Sequence, residues 1–104
     1  MVLYISKWDI LPGKAEEYAE WSATTMKQLF SVPGIKEFRA YRTVTGSHQT
    51  VVTYEFADFT SWAAWMENEI VQNANQELRN YAMNIKNDLL GPSPIVPEPI
   101  RLDG

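Results

Sequence analysis

An α+β domain, with helices on one face of an antiparallel sheet, is predicted by three features of the sequence. Runs rich in β-branched and aromatic residues occupy Val2 to Ile10, Ile35 to Val44 and Gln49 to Phe56. The last two are joined by Thr45-Gly46-Ser47-His48, a polar connection of hairpin length. Between and after these runs, apolar residues recur at three- and four-residue spacing, the period of a helix with one buried stripe. A chain of 104 residues has room for a single core, and 45% hydrophobic with 21% charged residues is too apolar for disorder.

The first strand ends at Leu11-Pro12-Gly13, a turn signal. From Lys14, a helix is predicted by Ala15, Tyr18, Ser22, Met26 and Leu29, flanked by Trp21, Thr25 and Phe30. Glu16, Glu17 and Glu20 lie in its early turns, where the helix dipole favours negative charge, and Val32-Pro33-Gly34 stops it. After the hairpin, Asp58 or Thr60 can cap a helix carrying Trp62, Trp65, Met66 and Ile70 on one stripe. A second helical stripe is read at Ala74, Leu78, Tyr81, Ala82, Ile85 and Leu89, running to Gly91-Pro92, with a bend expected at Asn73 to Gln76. Pro92, Pro94, Pro97 and Pro99 forbid a helix or central strand beyond that point. Residues 1–90 are therefore expected to form the domain and residues 91–104 a Pro-rich extended arm, with Ile95 to Leu102 extended or an edge strand. The element order, strand, helix, strand, strand, helix, helix and tail, fits a ferredoxin-like arrangement.

Both faces of the predicted sheet carry apolar groups. On the first strand Val2, Tyr4, Ser6, Trp8 and Ile10 face one way, and Leu3, Ile5, Lys7 and Asp9 the other. On the third, Val52, Tyr54 and Phe56 oppose Val51 and Thr53. An antiparallel sheet with a solvated face should alternate apolar with polar, and the helices can shield only one side. A second copy of the sheet would cover the other, so a symmetric homodimer is expected, and a proline-rich arm that crossed to the partner would add contact area and protect an edge.

Composition removes several functional classes. Without cysteine there is no disulfide framework, thiolate metal site or cysteine nucleophile. A net charge of −4 repels a phosphate backbone, so nucleic acid is not expected as a partner. The N-terminus lacks the features of a secretory signal and no stretch approaches the ~20 apolar residues of a membrane helix, so a cytoplasmic protein without a membrane partner is expected.

The segment Phe56-Ala57-Asp58-Phe59-Thr60-Ser61-Trp62-Ala63-Ala64-Trp65 resembles the end of the third strand and the start of the next helix in the dimeric α/β-barrel superfamily. The similarity is to antibiotic-biosynthesis-monooxygenase-like proteins in particular, with Phe56, Asp58, Trp62 and Trp65 at the recurring positions. In element order it extends over residues 2–90, with the proline-rich tail in place of the last strand usual in that group. The resemblance implies a dimeric α/β barrel and, in some members, cofactor-independent oxidation of polycyclic phenols. The haem-degrading branch would place its Asn, Trp and His at Ser6, Trp65 and Asn75. Only the Trp matches, and no axial imidazole stands at Asn75, so that activity is disfavoured.

Oxidation without a cofactor requires a flat substrate held in an apolar cleft, with polar groups where negative charge develops. Ser6, Trp65 and Asn75 are the candidate catalytic residues, and Tyr4, Trp8, Trp62 and Tyr81 the candidate substrate contacts. The aromatics at helical spacing also suit plain core packing. His48, the sole histidine, titrates in the useful range but is expected to be a solvated turn residue. Arg39 and Arg42 are expected to pair with Glu37 or Glu55 across the hairpin. Glu16, Glu17 and Glu20 read as a wet helix face, since no histidine joins them to make a metal site. The expected function is a monooxygenase-like protein acting on a small aromatic or polyketide-type molecule without metal or flavin. The competing reading is a non-catalytic ligand-binding or assembly module.

Overall fold

The computed structural model describes residues 1–103. Four strands, β1 (Val2–Ile10), β2 (Ile35–Arg42), β3 (Thr50–Phe56) and β4 (Ala82–Leu90), form one antiparallel sheet in the order β2-β3-β1-β4. Three helices, α1 (Ala15–Ser31), α2 (Phe59–Glu67) and α3 (Glu69–Leu78), complete a ferredoxin-like fold. Val2, Tyr4, Ser6 and Trp8 of β1 are buried, as are Val52, Tyr54 and Phe56 of β3, so the expected alternation holds on both central strands. Leu29 of α1, Trp65 of α2, and Val71, Ala74 and Leu78 of α3 complete the core against that face. The turn at Val32-Pro33-Gly34 relies on Gly34 at φ 126°, where a Cβ would be strained and would meet the Phe56 ring at 3.7 Å.

The predicted helical stripe through Tyr81, Ala82, Ile85 and Leu89 is corrected by the structure: Ala82–Leu90 is the fourth strand, not helix. A bulge explains the misleading spacing. Lys7 pairs with Lys86 and Asp9 with Met83, so β1 advances two residues while β4 advances three. Asn84 takes φ 55° there, a conformation asparagine tolerates better than most residues. Ala82 and Ile85 thus share the inner face at a helix-like interval, and beyond the bulge Ile85, Asn87 and Leu89 alternate inward. A polar residue at the middle inward position hid that period. β4 is therefore the last strand that the tail was expected to replace, and residues 91–103 contain no helix or strand. Part of the arm, from Val96 to Ile100, runs beside Met1, Leu3 and Glu55, and its apolar residues Ile95, Val96, Ile100 and Leu102 are all exposed.

The expected bend at Asn73 to Gln76 is also corrected, because α3 runs through those residues and the break lies at Asn68. There φ is −63° and ψ is 135°, ending α2 and opening α3. The Asn68 side chain accepts from the Ile70 N–H at 2.9 Å, a local bond that competes with helix continuation and caps the new helix. Asn68→Ala is expected to lower stability by about 1 kcal/mol in urea unfolding. Of the two candidate caps for α2, Asp58 serves, accepting from the Ser61 N–H at 2.7 Å.

The hairpin connection spans residues 43–49, longer than predicted. Its end is tied to β1: the Gln49 N–H donates to Asp9 Oδ1 at 2.9 Å, and Gln49 Oε1 accepts from the Ile10 N–H at 2.8 Å. His48, beside this tie, is buried rather than solvated, with Nδ1 2.9 Å from Ser47 Oγ. Arg39 pairs with Glu37, one of its two expected partners, two residues along its own strand on the same face.

Candidate active site

The inward side chains of the sheet form the floor of a cavity of about 390 Å³, roofed by α1, α2 and α3. That volume lies within the range of about 300–1,000 Å³ typical of small-molecule pockets. Its apolar depth is built from Tyr4 and Trp8 of β1, Val52 and Tyr54 of β3, Leu29 of α1 and Trp65 of α2. The rings interlock: Tyr54 and Trp65 have centroids 4.9 Å apart, Phe38 and Tyr54 5.1 Å, and Trp8 meets Tyr18 edge-on at 6.4 Å.

Few polar groups break this surface. Ser6 Oγ donates to Asn87 Oδ1 at 2.7 Å, a contact between β1 and β4 on the floor. The Trp8 indole N–H donates to the Tyr18 hydroxyl at 3.2 Å. Trp65, only 3% exposed, lines the cavity, and its buried indole N–H has no acceptor among the described residues. Such a buried orphan donor costs free energy until something accepts from it. Burial raises the Tyr4 and Tyr18 hydroxyls above the usual tyrosine range, against the lowering effect of Ser6 beside Tyr4 and of the Trp8 N–H that donates to Tyr18. Tyr54 is raised further, by burial first and then by the neighbouring phenols. All three are therefore neutral hydroxyls near pH 7, able to donate or accept a hydrogen bond but not to serve as phenolate bases.

The structure brings five of the seven sequence-predicted residues together: Ser6, Trp65, Asn75, Tyr4 and Trp8 line the cavity. Trp62 and Tyr81 are outside the lining. The Trp62 ring lies 5.9 Å from that of Tyr4, while Tyr81 stacks on Trp21 at 5.2 Å. His48 is not in the lining either. The sequence reading missed Tyr18, Thr25, Asn87 and Arg79. Asn87 was hidden with β4. Arg79 was discoverable, since it follows Asn75 by four residues and so shares its helix face. Among the described residues no group of three or more His, Asp or Glu is placed to hold a metal ion.

Outside the cavity, Asp9 and Asp58 stand below the ordinary carboxylate value of 3.8. Asp9 is held there by Asn84 and the Gln49 N–H, and Asp58 by the Ser61 N–H at the cap. A folded-state value below the unfolded one gives stability that is complete above pH 3.8 and lost as pH falls through the folded value. The melting temperature is therefore expected to drop below about pH 4, with a shallower drop in Asp9→Asn, as thermal scans across pH would show.

The sequence model of the antibiotic biosynthesis monooxygenase family matches residues 1–77, and the chain belongs to that family. No functionally curated protein matches it. Among solved structures it is similar to SnoaB, a cofactor-independent oxygenase from Streptomyces nogalater, with 15% identity and a TM-score of 0.72 over 93% of this chain and 97% of that one. It is also similar to HapK from Hahella chejuensis, with 15% identity and a TM-score of 0.74 over the whole of both chains. A dabb family protein with a ferredoxin-like fold from Mesorhizobium loti gives 11% identity and a TM-score of 0.78 over 88% and 96%. These likenesses establish the shared fold. No helix is long and apolar enough to cross a membrane, among the described residues.

Proposed function

We propose that this protein is a monooxygenase that binds a small, flat aromatic molecule in the cavity and oxidises it with molecular oxygen, using no metal or flavin. The observation that carries this reading is the aromatic-walled cavity, lined by Trp65, whose buried indole N–H is unpaired, and by the Ser6–Asn87 pair. SnoaB, with the same fold, is described as a cofactor-independent oxygenase, which supports the reaction class.

With an anthrone as substrate, the ring methylene loses a proton to water and leaves a delocalised enolate. Trp65 donates to the developing oxyanion, and the apolar walls exclude competing water. Oxygen takes an electron from the enolate, and the radical pair combines to a carbon-bound peroxide anion, which takes back the proton from water. Loss of water from the peroxide leaves a carbonyl, so one O₂ converts CH₂ to C=O with release of H₂O. The protein's part is to orient the rings and stabilise the anion, since Arg79 is the one side chain of the lining that carries charge near pH 7.

The working unit is a homodimer in this proposal. Leu3, Ile5 and Val51 sit half-buried on the sheet face away from the helices, and a second copy would cover them. Sedimentation at micromolar concentration is expected to give twice 11.9 kDa, and a lone protomer would contradict it.

The reaction is tested by oxygen uptake on a panel of hydroxyanthrones and catechols. Quinone formation well above the rate in buffer is expected for at least one. Saturable binding with no uptake above buffer would instead support a non-catalytic binding module, a reading favoured by the absence of any carboxylate from the described lining.

A further inference from the structure

The exposed part of the cavity roof carries a polar group. Asn75 of α3, Arg79, which caps the C-terminal end of that helix four residues on, and Ser22 of α1 all belong to the lining. Asn75 and Arg79 are exposed, which puts this group at the mouth, whereas Tyr4, Trp8, Val52, Tyr54 and Trp65 are buried in the depth. Among the described residues Arg79 has no ion pair and no side-chain hydrogen bond, and the Asn75 amide has no hydrogen bond. The nearest acid along α3, Glu77, is engaged by the Trp21 indole N–H at 3.2 Å. The chain as a whole carries −4, so a lone cation at the rim of an apolar cavity works against the general field.

We infer that the cavity takes an aromatic oxyanion, with the flat ring system packed against the wall of Tyr54, Trp65 and Trp8 and its anionic group held at the mouth by the Arg79 guanidinium and the Asn75 amide. A planar guanidinium is matched to a carboxylate or phenolate, and its exposed position lets the anion keep part of its hydration while the rings are buried. This inference rests on the proposed ligand site and names the class of molecule that the site selects. It also fixes the direction of entry, which leaves the far end of the rings beside Trp65 and the Ser6–Asn87 pair.

The test is a titration of tryptophan fluorescence with 2-naphthoate and with 2-naphthamide, its uncharged counterpart of the same shape. The naphthoate is expected to bind the native chain about tenfold more tightly than the amide, the worth of one charge-assisted hydrogen bond. Arg79→Met should erase that preference by weakening naphthoate far more than naphthamide, and Arg79→Lys should restore part of it. 2-Naphthol, titrated above and below its own pKa, shows whether a phenolate is accepted as well as a carboxylate. Equal binding of naphthoate and naphthamide to the native chain, or an equal loss of both in Arg79→Met, would overturn the oxyanion inference and leave the proposed cavity site standing. Failure of every one of these ligands to bind would overturn both.

Discussion

Phe56→Ala is expected to lower the free energy of unfolding by about 3–5 kcal/mol, the usual cost of removing a buried aromatic ring. Phe56 is 0% exposed, and its ring lies in the core between the sheet and α2. It pairs with Val2 of β1 and Ile35 of β2, its centroid lies 5.4 Å from that of Trp65, and it backs the turn at Gly34. Domains of this size have about 5–15 kcal/mol of stability in total, so the variant approaches the threshold of folding. Urea unfolding of Phe56→Ala beside Phe56→Leu measures the effect, and the leucine variant should lose far less because most of the volume is kept. Similar midpoints for native and alanine chains would mean that the ring is not central to the core.

Trp65→Phe is expected to slow oxidation of an accepted substrate by about 100-fold, the effect of deleting one hydrogen-bond donor to a developing oxyanion. The aromatic bulk largely remains, so substrate affinity should change much less than turnover. Trp62 supplies the control. Its indole N–H is equally buried and equally without a partner, yet Trp62 lies outside the cavity lining. Trp62→Phe should therefore leave turnover close to native. Steady-state oxygen uptake separates the cases, and equal losses in the two variants would remove Trp65 from the chemistry.

The central strands were legible because Val2-Leu3-Tyr4-Ile5-Ser6 and Val51-Val52-Thr53-Tyr54 follow the pleat without interruption. Asp58 was legible as a cap because its side chain acts within three residues. β4 was not, because its bulge inserts one residue and Asn87 occupies an inward position, so its pattern imitates a helical stripe. The site followed the same division. Ser6, Tyr4 and Trp8 share a strand face that the sequence defines, whereas Tyr18 meets Trp8 only through the packing of α1, which leaves no local trace. His48 is buried by a tie from Gln49 to Asp9, forty residues away in the chain, beyond the reach of turn chemistry.

In the proposed reaction the cavity is a ligand site and the Trp65 indole N–H gains its acceptor from the ligand. The direct measurement is a heteronuclear NMR titration of the indole N–H resonances of the four tryptophans with an anthrone, without oxygen. The Trp65 resonance, assigned by its absence in Trp65→Phe, should move strongly downfield as it gains an acceptor, while that of Trp62 stays in place. An anthrone that leaves the Trp65 resonance unmoved at saturation, or that shifts only exposed residues, would contradict the account.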